Sequence, residues 1–281
     1  MGAMKTRRWP LFTTLPFASI VVLAGSAATP AENQSPTDEA WGNLRIQYYG
    51  QRELTIADTA AFTLEAPSNT PDPTATALTV RFGASDIGHI KQLRVFIDNN
   101  PSPVASTFDF AEGARVAEIG MRVRIDRWTS IRAIAETTDG QLQMHSTWVN
   151  AAGGCSAPPS PAAGGTLGEI RFHNTPDGRS LQIAIRHPNN SGFQIDPLSG
   201  NPIPPHFVSH IRFSSNGHPI MDVDAGISLS ENPTLRIASD SALPAPLSVE
   251  VTDSQESHFN ASWRGSGSGG ETISDAAVTP R

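Results

Sequence analysis

An all-β chain, built as two immunoglobulin-like β-sandwich domains joined by a flexible Gly/Pro-rich connector, is predicted by three observations. Short apolar-polar alternations, the pattern of half-buried strands, recur along most of the chain between clusters of turn residues. The 281 residues include 23 glycines and 23 prolines, which disfavour long helices. The stretch Val149 to Gly168, VNAAGGCSAPPSPAAGGTLG, offers few apolar side chains to bury and no hydrophobic period, and it divides the chain almost centrally. Each side retains roughly 110 residues, enough for a core of its own.

The first 28 residues read as an export signal to be removed near Ala28. Lys5, Arg7 and Arg8 form a basic start, Leu11 to Leu23 an apolar run, and Ser26 to Ala28 a small-residue cleavage region. The run is shorter than the ~20 residues a membrane span needs, so no membrane attachment is expected after cleavage. Arg7-Arg8 partly matches a twin-arginine signal, and both export routes stay open. Losing three positive charges shifts the formal charge from −7 to −10, which argues against nucleic acid as a partner.

Residues 29–53 read as a lead, polar up to Ala40 and amphipathic from Trp41 to Tyr49. The first sandwich is expected over 54–150. Leu54 to Leu64 alternates around a break at Asp58-Thr59-Ala60, and Ala77 to Phe82 and Ile90 to Ile97 follow as strands. The prolines of Asp98 to Pro103 end that run. From Arg115, Val116, Ile119, Met121, Val123 and Ile125 face inward in the expected pattern, with Arg122, Arg124 and Asp126 on a wet face. Ser130 to Thr137 and Leu142 to Val149 form a hairpin turned at Asp139-Gly140.

The connector spans 151–168 and the second sandwich 169–263. The latter has short strands at Glu169–Phe172, Ser180–Ile185, His206–Phe213, Pro219–Val223, Thr234–Ile237 and Leu247–Val251. A glycine-serine tail, expected to be flexible, occupies 264–281. His206 and His210 are four apart. On a strand that spacing separates them by about 13 Å, too far for one ion, so no metal site is expected. Asp222 and Asp224 read as turn or surface acids.

The connector carries the chain's single cysteine, Cys155. Gly153 and Gly154 give this arm flexibility, and the expectation is a thiol presented to solvent. An exposed thiol has a pKa near ~8.5, so a few per cent is thiolate at neutrality. The nearest basic side chain upstream is His145, and no sequence neighbour lowers that value. No Ser/His/Asp or Cys/His constellation surrounds the cysteine, so no catalytic residues and no cofactor are expected. The chemistry that remains is passive: Cys155 holds a cargo and other proteins activate it.

The runs IDNNPSPVASTFDF and SIRAIAETTDGQLQ, with a strand leading to GGC, resemble the SoxY half of the SoxYZ sulfur-carrier family. Ile183 to Pro188, Ser191-Gly192, Asp196, Gly200 to Pro204, Phe207 to Phe213 and Ser230 to Pro233 resemble the SoxZ half. The resemblance is to fused SoxYZ-like carriers associated with quinoprotein dehydrogenases. It implies a periplasmic carrier of sulfur intermediates attached covalently to Cys155, by resemblance thiosulfate-derived. The implied partners are Sox-type sulfur-oxidation enzymes or a quinoprotein dehydrogenase system. Two departures stand out. Cys155 is followed by Ser156-Ala157-Pro158-Pro159 and a whole second domain, so the arm is tethered at both ends. His187-Pro188 continues with Asn189-Asn190 where the family's pattern has methionine. A second class of function stays open: a non-covalent accessory or binding module for the dehydrogenase, with an incidental cysteine.

Overall fold

The computed structural model describes Met1 and residues 36–160, 165–265 and 272–273. The expected export signal and most of the tail lie outside the described residues. Among the described residues, one helix, α1 (Pro36–Tyr49), precedes sixteen strands. The Gly50 amide closes the helix on the Ile46 carbonyl at 3.0 Å. The polar lead was expected to run to Ala40; instead the helix begins at Pro36.

The strands are β1 (Thr55–Ile56), β2 (Phe62–Glu65), β3 (Thr76–Phe82), β4 (Ile90–Ile97), β5 (Val104–Phe110), β6 (Val116–Val123), β7 (Thr129–Thr137) and β8 (Leu142–Val149) in the first half. The second half supplies β9 (Ile170–Asn174), β10 (Ser180–Ile185), β11 (Val208–Ser215), β12 (His218–Ala225), β13 (Thr234–Ser239), β14 (Leu247–Asp253), β15 (His258–Trp263) and β16 (Thr272–Ile273). Part of the presumed tail is thus a strand, pairing antiparallel with β9.

The all-β class stands, and each half gives strands to both of two sheets, as immunoglobulin-like domains do. The sheets are also continuous across the halves. One runs β1-β8-β7-β4-β5-β12-β11-β14-β15 and the other β16-β9-β10-β13-β6-β3-β2. The junction is made twice. β5 pairs with β12 from Phe110↔Met221 to Ser106↔Ala225, and β6 pairs with β13 from Met121↔Leu235 to Val116↔Ser239. One apolar core fills the space between the sheets and draws on both halves, for example Leu93, Phe108, Ile119 and Ile131 with Phe172, Ile211, Phe213 and Val249. The described residues from Pro36 onward belong to one compact unit.

Helix α1 covers the outer face of the large sheet. Trp41 and Tyr49 pack on Phe96, Ile134, Leu142 and Met144, with Trp41 edge-on to Phe96 at 5.6 Å. Arg132 lies over the Trp41 ring at 4.8 Å and bonds the buried Asp98 carboxylate at 2.8 Å. The sheet beneath α1 is therefore buried on both faces.

Candidate functional site

The site is built where β6 leaves its sheet. Val123, Arg124 and Ile125 are all buried, because the chain there dives under the loops of the second half. Arg124, expected on a wet face, is 2% exposed. Its Nη1 donates to the carbonyl oxygens of Asn189 at 2.6 Å and Leu229 at 2.7 Å. Burial lowers the pKa of this guanidinium, and the charge interactions with Cys155 and Glu231 act in the opposite direction. Asn100 braces the turn: Nδ2 donates to the Arg124 carbonyl at 2.8 Å and Oδ1 accepts from the Asp126 amide at 2.9 Å.

The cysteine arm lies against this turn. The Gly153 amide donates to the Asp126 carbonyl at 2.6 Å and the Gly154 amide to the Ile125 carbonyl at 2.9 Å. Gly153 takes a positive φ of 79°, which an L side chain would strain. At Gly154 the constraint is space: a Cβ there would lie 2.1 Å from the Pro73 carbonyl oxygen and 2.6 Å from that of Ile125. From the other side Ser191 Oγ donates to the Cys155 carbonyl at 2.5 Å and Gln194 Nε2 to the Ala157 carbonyl at 3.1 Å. The Ser160 amide donates to Glu231 at 3.0 Å.

Cys155 is consequently 0% exposed. This corrects the expectation of a thiol presented to solvent on a freely moving arm. Local composition supplies nothing to bury the cysteine, but a loop 36 residues downstream, on the other half, does. Gly153 and Gly154 serve here to seat the arm, by a left-handed turn and a close approach. Residues 161–164, in the same connector, lie outside the described residues. Burial, reinforced by the Asp126 charge and opposed by Arg124, pushes the Cys155 thiol up to about 12. In the docked arm the thiolate, the reactive species, is thus about a thousandfold scarcer than for an ordinary thiol.

The covering loop, between β10 and β11, is closed at its neck. Asn190 and His206 exchange backbone hydrogen bonds at 2.7 and 3.1 Å. The buried Asn189 side chain donates to the Leu229 carbonyl at 2.8 Å and accepts from the Val208 amide at 2.9 Å. His206 Nε2 meets Asp253 Oδ2 at 2.8 Å, and His187 Nε2 approaches the same oxygen at 3.5 Å. Burial and the neighbouring His206 lower the His187 pKa to about 4, outweighing the pull of Asp253. Burial acts against the Asp253 carboxylate, but hydrogen bonds from His206 and the Ser257 and Gln255 amides overcome it and hold its pKa at about 2.

Among the described residues, His187, His206 and Asp253 bring three potential metal-ligand atoms within 4.8 Å of one another. The tautomer decides against an ion. His187 Nδ1 accepts the Asn189 amide at 3.0 Å, so the ring proton of the neutral imidazole sits on Nε2, the atom a metal would need bare. The trio is a buried clasp in which His206 and Asp253 are hydrogen-bonded and His187 Nε2 stands 3.5 Å from the shared oxygen without a hydrogen bond. His210, considered in the sequence together with His206, instead faces Asp224 at 2.9 Å and Asp222 at 3.2 Å across the β11–β12 pairing.

Sequence reasoning placed Cys155, Gly153 and Gly154 on one arm, and the structure keeps them together. It missed Arg124, Ser191 and Gln194. No local signal marked Arg124: the alternation runs on through Ile125 in the sequence, and it is loops of the second half that bury the side chain.

The model of the sulfur oxidation protein SoxY matches residues 45–155, ending on Cys155 itself, and that of the sulphur oxidation protein SoxZ matches residues 172–264. No curated protein sequence matches the chain. Among solved structures, the sulfur carrier protein SoxY from Chlorobium limicola f thiosulfatophilum is 16% identical. The match covers 41% of this chain and 94% of that one, with a TM-score of 0.35. A superoxide reductase (neelaredoxin) from Ignicoccus hospitalis is 12% identical over 33% of this chain and 82% of its own, with a TM-score of 0.28. With a SoxY domain and a SoxZ domain in one polypeptide and their sheets joined edge to edge, the chain belongs to the SoxYZ sulfur-oxidation carrier family as a fused SoxYZ-like protein.

Proposed function

We propose that this protein carries sulfur intermediates covalently on Cys155 in the periplasm, presenting them to sulfur-oxidation enzymes of the Sox type and performing no catalysis itself. The observation that carries the reading is positional: the single cysteine of the chain is the last residue of the SoxY match, on the glycine pair that seats the arm. Every contact that holds the described part of the arm is a hydrogen bond or a packing contact, so the arm can be released without breaking a covalent bond. Docked, the thiol is protonated and inert. Released, it regains ordinary thiol acidity and is open to a partner's cleft. From Val149 to Cys155 the chain reaches roughly 20 Å when extended at ~3.4 Å per residue. The acidic composition and the export signal read in the first 28 residues suit an exported protein that acts through other proteins.

A second reading, a non-covalent accessory module for a quinoprotein dehydrogenase with an incidental cysteine, is favoured by the burial of Cys155. Intact-mass measurement of protein isolated from its native periplasm separates the two. Sulfur adducts that disappear in Cys155→Ser support the carrier. An unmodified thiol together with a fully functional Cys155→Ser variant supports the accessory module and removes the carrier.

A further inference from the structure

At the other end of β6 from the thiol, nine residues back from Ile125 to Val116 and so about 30 Å away along the strand, the junction between the halves opens into a cavity of about 310 Å³. Its walls are Val116, Phe213, Met221, Ile237 and Leu247, all buried and drawn from both sheets. Two loops frame the mouth: Ala111 to Arg115 after β5, and Ser241 to Pro244 before β14. Neither half makes this cavity alone.

We propose that the cavity is a binding site for a non-anionic, ring-bearing, mostly apolar small molecule of about a dozen heavy atoms with one polar edge. The size follows from scaling: an apolar cavity of ~150 Å³ takes up benzene. Apolar walls give a water molecule few partners, so the space favours an apolar guest.

The charge is set at the mouth. Arg115 and Asp240 sit there as a two-bonded ion pair, Nε to Oδ1 at 2.9 Å and Nη2 to Oδ2, and neutralise one another. An anionic guest would find no free counterion among the described lining residues, where the one carboxylate without an ion-pair partner is Glu112. The polar edge is matched by Ser239 and Ser241, whose hydroxyls lie 3.4 Å apart.

The opening is held rather than left over. The Leu243 amide is tied to the Gly178 carbonyl at 2.9 Å and the Ala111 amide to the Ile220 carbonyl at 2.9 Å, so the frame loops cannot settle into the space. Four of the nine residues that line it from those loops are small and apolar: Ala111, Gly113, Ala114 and Ala242.

The test is fluorescence titration of the full chain with 2-naphthol, a neutral two-ring probe with one hydroxyl. Saturable one-to-one binding with a Kd below about 1 mM is expected. Ala242→Trp, at an exposed lining position, should weaken it at least tenfold without moving the denaturation midpoint; if that variant misfolds, Ala114→Leu serves. The anionic 2-naphthalenesulfonate should bind at least tenfold more weakly. Cys155→Ser should bind 2-naphthol as the wild type does, which keeps this result independent of the carrier chemistry. Non-saturable uptake, affinity undiminished by either filling substitution, or equal binding of the sulfonate would overturn the proposal.

Discussion

The two halves are joined twice, and the joints differ in kind. One is the pair of strand junctions, β5 on β12 and β6 on β13, where backbone ladders and a shared core make the halves inseparable. The other is the covalent connector, whose described part is held only by a few hydrogen bonds and one close approach at Gly154. The difference teaches what each is for. Since the sheets already hold the halves together, the connector is free of that task, and its contacts can be set for docking and release of a cysteine.

The sharpest way to break the comparison is to attack the junction. Ile119 on β6 pairs with Ile237 of β13 and is 1% exposed, so Ile119→Asp buries an unpaired charge at the seam. A loss above about 4 kcal/mol is expected, with both halves unfolding in one urea transition. Two separate transitions would mean that the halves are energetically independent after all.

Arg124 links the two joints, reaching from the end of β6 to the loop that covers the arm. Arg124→Ala removes its bonds to the Asn189 and Leu229 carbonyls and leaves a void, at a cost of about 2–4 kcal/mol by denaturant melt. It should also raise the alkylation rate of Cys155.

Acid should act through the clasp. The folded pKa of His187, about 4, lies below its unfolded value of 6.5, so between these pH values the unfolded chain binds a proton that the folded chain refuses. Stability therefore falls as pH drops from 6.5 to 4, by roughly 3 kcal/mol for a group so fully buried. Asp253 follows: its stabilisation is complete above 3.8 and is lost as pH falls towards its folded value of about 2. Urea midpoints measured against pH should show both limbs, and His187→Gln should flatten the first.

Within the arm, Gly154→Ala forces a methyl group onto the Pro73 and Ile125 carbonyls, costing about 1–3 kcal/mol and accelerating thiol alkylation at least tenfold. Ser191→Ala removes two hydrogen bonds, to the Cys155 carbonyl and from the Phe193 amide, worth about 1–2 kcal/mol together, and should accelerate it severalfold.

Much of this architecture is legible in the residues, because a half-buried strand writes its burial into the sequence as alternation. β3, β8 and β10 to β14 follow that rule, and β4 and β7 follow it only in part, because α1 also buries Phe96 and Ile134 on their outer face. β5 does not: VASTFDF has buried residues on both sides, with Val104 packed under α1 and Phe108 in the core between the sheets. That is why the strand making one of the two junctions escaped notice. β15, HFNASW, does alternate, with Phe259, Ala261 and Trp263 inward and His258, Asn260 and Ser262 outward, so this strand was legible and was overlooked. The cysteine arm fails for a different reason. Its environment comes from Ser191, Gln194 and Arg124, distant in sequence, and no local composition reports a shelter assembled by tertiary contacts.

The account turns on whether Cys155 leaves its shelter while the rest of the molecule stays folded, and its alkylation rate in increasing urea, below the unfolding transition, reads this out. For a docked arm, the rate should greatly exceed that set by global unfolding and depend only weakly on urea. If instead labelling rises with urea in step with global unfolding, the thiol is a fixed part of the core and cannot serve as a carrier.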